Sequence, residues 1–160
     1  MKTIKVVCAG KLKERYWREA EAEYAKRLQT YCALRIVETP DEKAPEKLSD
    51  AQKRKVLDKE GARLLKHVEA DAHCIALDLR GKSTDSVAFS GQIRRIQETG
   101  DGRIAFVIGG SLGLSEDVLK RADETLSLSA MTFPHQMARI ILLEQLYRGY
   151  RIRTGEPYHK

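Results

Sequence analysis

The sequence predicts an α/β domain, a parallel sheet with helices on both faces. Three observations point there. Strand-like and helix-like segments alternate along the whole chain. Two apolar runs, Cys74 to Leu79 (broken only at Asp78) and Ile104 to Ile108, are continuous rather than alternating. That is the pattern of parallel strands buried on both faces. Finally, five strand–helix pairs follow one another with no internal repeat, the order that doubly covered sheets require.

Each element has its own signal. Ile4 to Ala9 is a first strand, ended by Gly10 and a run of charges. From Leu12 to Gln29, Tyr16, Ala20, Tyr24 and Leu28 recur every fourth residue, which is one face of a helix. Leu34 to Val37 is a short strand. Glu38 to Asp50 is polar, contains Pro40 and Pro45, and reads as a loop. Ser49 or Asp50 can cap the next helix, which carries Val56, Leu57, Leu64, Leu65 and Val68. After the strand at Cys74, Phe89, Ile93 and Ile96 mark a third helix, and Gly100-Asp101-Gly102 is a turn. Ile104 to Ile108 is the next strand, Leu114 to Arg121 a short helix, Thr125 to Leu128 the last strand, and His135 to Tyr150 the last helix.

The chain's 160 residues suit a single domain over 1–160. At 42% hydrophobic and 32% charged, the composition excludes a disordered chain. No apolar run approaches the ~20 residues of a membrane span, and the N-terminus reads as a strand rather than a signal peptide. A cytoplasmic location follows as the expectation. Cys8, Cys32 and Cys74 are widely spaced with no CxxC pair, so they predict neither zinc nor a redox motif. No metal site is expected. Cys8 and Cys74 sit in apolar runs and read as small core residues. The net charge of +6 suits a nucleic-acid partner.

In open parallel sheets, ligands bind beyond the carboxyl ends of the strands. Three loops are therefore of interest: Asp78 to Ser83, Gly109 to Ser115, and Ser129 to Phe133. If their strands are neighbours, one pocket can use all three. Gly81-Lys82-Ser83 looks like the end of a P-loop, but the required earlier glycine is Ala76, so a nucleotide triphosphatase is excluded. Gly109-Gly110-Ser111-Leu112-Gly113 fails the dinucleotide-binding spacing. It is either a tight strand–helix turn or a place where backbone approaches a ligand closely. Leu128 to Pro134 is a small-residue loop with Pro134 expected in the first helical turn. Such a loop either merely enters the helix or offers free N–H groups to a ligand. The last helix has consecutive Ile140, Ile141, Leu142 and Leu143. That predicts burial on more than one side, with a second subunit on the far side. Beyond it, Tyr147 to Lys160 interleaves arginines with tyrosines, types suited to phosphates and bases, or to a solvated basic tail. His67 and His73 have no partner spacing and read as structural or exposed.

Taken in order, Leu77-Asp78-Leu79-Arg80-Gly81-Lys82, Phe106 to Ser115, Ser127 to His135, Leu146-Tyr147-Arg148 and Pro157-Tyr158-His159 resemble the RlmH family over the whole chain. These are bacterial large-subunit rRNA methyltransferases of the SPOUT class. The resemblance implies a C-terminal trefoil knot, a homodimer, and S-adenosylmethionine as methyl donor. It implies as acceptor the N3 of a pseudouridine in a hairpin loop of 23S rRNA, within the large subunit or assembled ribosome. Carried onto this chain, the cofactor residues are Leu77, Gly109, Leu128, Ser129, Ala130, Met131, Thr132 and Phe133. The chain ends in Lys160, where other members carry arginine and a further residue.

The acceptor N3–H must lose its proton, so a general base is expected. His135 and His159 are the histidines in the regions of interest. His159 is favoured, near the RNA base with Tyr158. Arg148, Arg151, Arg153 and Lys160 are expected to bind RNA, with the tail serving the partner's pocket. Two other readings stay open: a basic dimeric RNA-binding factor without catalysis, and a tRNA methyltransferase of the same class.

Overall fold

The computed structural model describes residues 1–160. The elements are β1 (Thr3–Ala9), α1 (Arg15–Leu28), β2 (Ala33–Thr39), α2 (Asp50–Leu65), β3 (His73–Ser83), α3 (Ser86–Gln97), β4 (Ile104–Ile108), α4 (Glu116–Arg121), β5 (Glu124–Ser127) and α5 (His135–Arg153). The five strands form one sheet in the order β2-β1-β4-β3-β5, and every pairing is parallel. β4, β3 and β5 are therefore neighbours, as a single pocket at their carboxyl ends requires.

Central strands explain the continuous apolar runs. Every residue of β4 is buried. On one face of the sheet, Val6, Ile75 and Phe106 join Leu28 of α1, Phe89 and Ile93 of α3, and Leu142, Leu143 and Leu146 of α5 in the larger core. On the other face, Val7, Cys74 and Val107 meet Leu64 of α2 and Val118 of α4. All three cysteines are buried and free. Burial pushes the Cys8 thiol up to about 12 and those of Cys32 and Cys74 up to about 11, so none offers a thiolate at neutral pH.

Several boundaries differ from the pattern in the sequence. α1 begins at Arg15, not Leu12, because Leu12 is buried in the preceding loop. Its expected apolar face is buried only toward the end: Leu28 is fully covered, while Tyr16 is 63% exposed. β2 runs on through Glu38 and Thr39, whose hydroxyl donates to Cys8 O (3.1 Å). Polar residues belong to this strand because they have partners across it. Ser49, not Asp50, caps α2 and forms a capping box with Gln52, and Val68 lies beyond the helix's end. α4 begins at Glu116 behind the cap Ser115, and Pro134 is the N-cap of α5 rather than part of its first turn.

β3 departs most. It continues past Leu79 through the expected polar turn to Ser83. Leu77 and Lys82 both take Leu126 of β5 as their partner. Gly81 lies so close to β5 that a Cβ there would sit 2.9 Å from Leu126 N and C. α5 extends to Arg153 and packs on the sheet between α1 and α3. Leu142 and Leu143 are fully buried in the chain's own core, whereas Ile140 and Ile141 remain partly exposed.

Candidate functional site

The irregular stretch of β3 at Leu77 to Leu79 and the loops that follow β4 and β5 enclose a cavity of about 680 Å³, within the range of small-molecule sites; Arg80 to Ser83 of the loop expected after the third strand do not line it. Of the residues singled out in the sequence, Leu77, Gly109, Leu128, Ser129, Met131, Thr132 and Phe133 line it, and His135 stands at its edge. Ala130 is exposed and does not line it. Asp78, Leu79 and Gly110 to Gly113 complete much of the wall.

The glycine loop is tightly wound. Gly113 N–H donates to Gly110 O (3.1 Å), and Gly113 has φ +89°, a left-handed conformation that glycine adopts without strain. A Cβ on Gly109 would sit 2.6 Å from Gly113 C and overlap its carbonyl oxygen. The glycine there is required by the loop itself. The β5–α5 loop makes few hydrogen bonds. Ser127 Oγ donates to Ser129 O (2.9 Å), and Met131 N–H donates to Ser129 Oγ (3.0 Å). Its backbone is thus largely left for a ligand.

Two buried charges under the site escape the motifs. Glu60 of α2 is 5% exposed and accepts from Glu42 N–H (2.9 Å). It lies beneath Gly110, where a Cβ would be 3.4 Å from its Oε1. Burial raises its pKa above the ordinary carboxylate value. Arg139 of α5 is fully buried. It donates to Glu38 (2.7 Å), Glu21 (2.9 Å) and Gly10 O (3.2 Å), so it ties the last helix to the ends of β1 and β2 and to α1. Helical periodicity is the signal for both. Glu60 falls on the Leu57–Leu64 face, and Arg139 is in the row of Leu142, Leu143 and Leu146.

One turn before Arg139, His135 packs against Gly10, where a Cβ would lie 3.5 Å from its Cε1. Burial first, and then the Arg139 charge, lower its pKa below the usual histidine value. The imidazole is therefore neutral at pH 7.

The tail residues are elsewhere. None of Arg148, Arg151, Arg153, Tyr158, His159 and Lys160 lines the cavity. Arg148 binds Glu144 (2.6 Å), lies over the Tyr158 ring (4.8 Å), and contacts His159 Nδ1 at 3.0 Å. An arginine cannot accept, so His159 Nδ1 carries the lone pair in this contact. Tyr158 O–H donates to Glu144 (3.2 Å). Arg151 is held by Glu156, by Tyr31 Oη (3.2 Å) and by Pro157 O (3.0 Å). Arg153 donates to Gln97 Oε1 (2.6 Å) and covers the Tyr150 ring. The arginines expected to grip RNA are engaged within the chain, where they fix the tail on α5, and they stay partly exposed. Lys160 is exposed. No group of three or more His, Cys, Asp or Glu could hold a metal, and no helix is long and apolar enough to cross a membrane.

Known proteins share both sequence and fold. A Clostridium botulinum protein described as "Ribosomal RNA large subunit methyltransferase H" is 54% identical over 157 residues, 98% of this chain and 99% of that protein. Similarly described proteins from Listeria monocytogenes and Exiguobacterium sibiricum are 53% and 51% identical over the same shares. Among solved structures, a "probable methylase family protein" from Haemophilus influenzae aligns with a TM-score of 0.52 at 13% identity, covering 98% of this chain and 70% of that one. A Legionella pneumophila chain solved "in complex with the bound cofactor SAM" aligns at 0.51 and 14% identity, covering 93% of this chain and 66% of that one. These two likenesses concern the fold. The family model described as "Predicted SPOUT methyltransferase" matches residues 1–159, and the chain belongs to that SPOUT methyltransferase family.

Proposed function

We propose that the chain is an S-adenosylmethionine-dependent methyltransferase of large-subunit rRNA, acting on N3 of a pseudouridine in a 23S hairpin loop. The observation that carries this reading is the convergence of β3 and the loops after β4 and β5 on one cavity, in a chain more than half identical to proteins described as large-subunit rRNA methyltransferases. The residues present fit the cofactor. The cavity is large enough, its wall is small residues and open backbone, and Gly110 to Gly113 admit close approach. Leu77, Leu128 and Phe133 supply apolar surface for a flat ring, and the β5–α5 loop supplies backbone donors and acceptors.

The cofactor supplies an already activated methyl group, so the protein's task is largely positioning. Leu77 to Leu79 of β3 and the loops after β4 and β5 would hold the donor. The acceptor nitrogen then requires loss of its proton. His135 at the cavity edge is neutral and can accept one. His159 can serve only when its Nδ1 leaves Arg148, since with that contact kept the lone pair of Nδ1 is occupied and Nε2 carries the proton. Either histidine needs the RNA base beside it, with Tyr158 as a further contact.

The chain's own cavity has no tail residue, and Ile140 and Ile141 leave apolar surface on α5. Both facts support a homodimer in which one copy's Tyr158, His159 and Lys160 complete the other's pocket. A C-terminal trefoil knot is part of the same reading. What supports it is that β3 meets Leu126 twice, at Leu77 and Lys82, so β3 bends at the end of β5, where a knot would take the chain on to α5 through a loop. Pulling on the two termini should leave a contour shorter than the full chain; complete extension rules out the knot.

The test is methyl transfer from labelled S-adenosylmethionine to naked 23S rRNA, large subunits and whole ribosomes. Label at N3 of one pseudouridine is the expected result. Cofactor binding without transfer to any of these, but with transfer to tRNA, favours the tRNA reading. No thermal stabilisation by S-adenosylmethionine favours the non-catalytic RNA-binding factor.

A further inference from the structure

The carboxyl end of the sheet is divided in two. The cavity lies over β4, β3 and β5, and no lysine or arginine lines it. The loops that leave β1 and β2 at the same end carry Lys11, Lys13, Lys43 and Lys47, and the first turns of α2 add Lys53 and Lys55. All six are exposed, and none of them is in an ion pair. The neighbouring arginines are occupied: Arg15 by Glu19, Arg54 by Glu116, Arg63 by Glu42, and Arg18 by the carbonyls of Leu12 and Lys13. The free carboxylates here, Glu14, Asp41, Glu46 and Asp50, are outnumbered by the lysines.

The two halves touch. Gly10, which precedes Lys11, packs against His135 of the cavity and accepts from Arg139. At the other end of α5, Arg151 and Arg153 are engaged within the chain. RNA that presents a base to the cavity must still have its phosphates neutralised. On the β1–β2 side, these lysines are the free cations positioned for that; Lys82, exposed and opposite Leu126 of the cavity wall, is a lone one on the β5 side.

We propose that the β1–α1 loop and the first turns of α2 form a phosphate track for ribosomal RNA. In it, Lys11, Lys13, Lys53 and Lys55 contact the sugar–phosphate backbone flanking the nucleotide that enters the cavity. The inference rests on the rRNA reading above and extends it to the enzyme's grip. Lysines act as point charges on flexible stems, so the track positions the RNA without reading its sequence.

The test is binding of the full-length protein to purified large ribosomal subunits across a salt series, with Lys11, Lys13, Lys53 and Lys55 changed together to Gln and, separately, to Glu. Each lost phosphate contact lowers the slope of log affinity against log salt by about 0.7–0.9. The Gln variant should flatten the slope by about 3 units and weaken binding at least ~10-fold, with unchanged thermal stability and cofactor affinity. An unchanged slope and affinity in a folded Gln variant overturns the proposal, even if the Glu variant binds poorly through new repulsion. So does loss of self-association in the Gln variant, which makes the lysines a subunit contact. Lysine-dependent binding by a protein that transfers no methyl group upholds the track and refutes the methyltransferase reading instead. A wild type that binds no ribosomal RNA refutes both.

Discussion

Gly109 cannot carry a side chain, and the reason is internal. A Cβ would overlap the carbonyl of Gly113, so even alanine forces the glycine loop open. Gly109→Ala should lose about 1–3 kcal/mol in urea unfolding and lose S-adenosylmethionine binding with it. Gly110→Ala, whose Cβ meets only Glu60 at 3.4 Å, should keep its stability. Equal stability of the two variants contradicts the geometry. A clean steric test of the cofactor site belongs at Ser111, which is exposed and lines the cavity. Ser111→Trp should stay folded and lose cofactor affinity in calorimetry. His135 allows a test by pH. Its folded pKa lies below the unfolded value of about 6.5, because of burial and then Arg139. The unfolded chain therefore takes up the proton more readily, and this stability contribution is complete above pH 6.5 and lost as pH falls toward the folded pKa. His135→Gln should lose less stability than the wild type between pH 8 and pH 5; identical losses contradict the shift. The place of this cavity was legible, because ligands in parallel sheets bind beyond the strand ends, while its individual residues were named only through the family resemblance. Ala130 was not separable from its neighbours, since residue type alone does not tell which members of a loop face inward.

At the scale of elements, strands and helices were legible where hydrophobic period alone decides them. They were not where polar residues have distant partners. Glu38 and Thr39 extend β2 because Arg139 and Cys8 wait across the fold, and no local pattern carries that. The run Arg80 to Ser83 reads as a turn, yet it pairs with β5 because Gly81 permits the approach. Arg139 joins four elements at once: α5, α1, and the ends of β1 and β2. It is fully buried, while its partners Glu21 and Glu38 keep 22% and 33% of their side-chain surface. Removing one partner from a buried charge network costs about 3–5 kcal/mol. Arg139→Met should lower the urea midpoint by a corresponding amount, and Glu21→Gln by less, since Glu38 still holds the guanidinium. A small effect of Arg139→Met means that the two carboxylates reach water on its loss, and that the cluster does not anchor α5.

At the scale of the whole molecule, the fold class followed from the order of elements, but the position of the tail did not. A basic, aromatic C-terminus reads as an RNA-binding segment or as a solvated tail. Instead Arg148 joins Glu144, Tyr158 and His159, while Arg151 joins Tyr31 and Glu156. The contact of Arg151 with Tyr31 spans 120 residues, beyond any local pattern. These contacts also hold the tail, ordered, at the end of α5 opposite to the chain's own cavity, where Pro134 starts the helix. A second copy that pairs its α5 antiparallel over Ile140 and Ile141 brings that ordered tail to the first copy's pocket. Burying one such side chain is worth roughly 1.5–3 kcal/mol, so Ile141→Asp should weaken self-association in sedimentation. Deleting Tyr158 to Lys160 should spare cofactor binding and dimerisation but abolish methyl transfer. Ser111→Trp should abolish transfer by closing the pocket. Neither homodimer is then active. In a mixed dimer, the subunit with the intact pocket receives the intact tail of the Ser111→Trp subunit, so one site of the two is whole. Activity should return in purified heterodimers to about half that of the wild type if each site works alone. Silent heterodimers mean that each tail serves its own subunit. That outcome requires the tail to leave Glu144 and Tyr31 and travel the length of α5 to reach the pocket at its start.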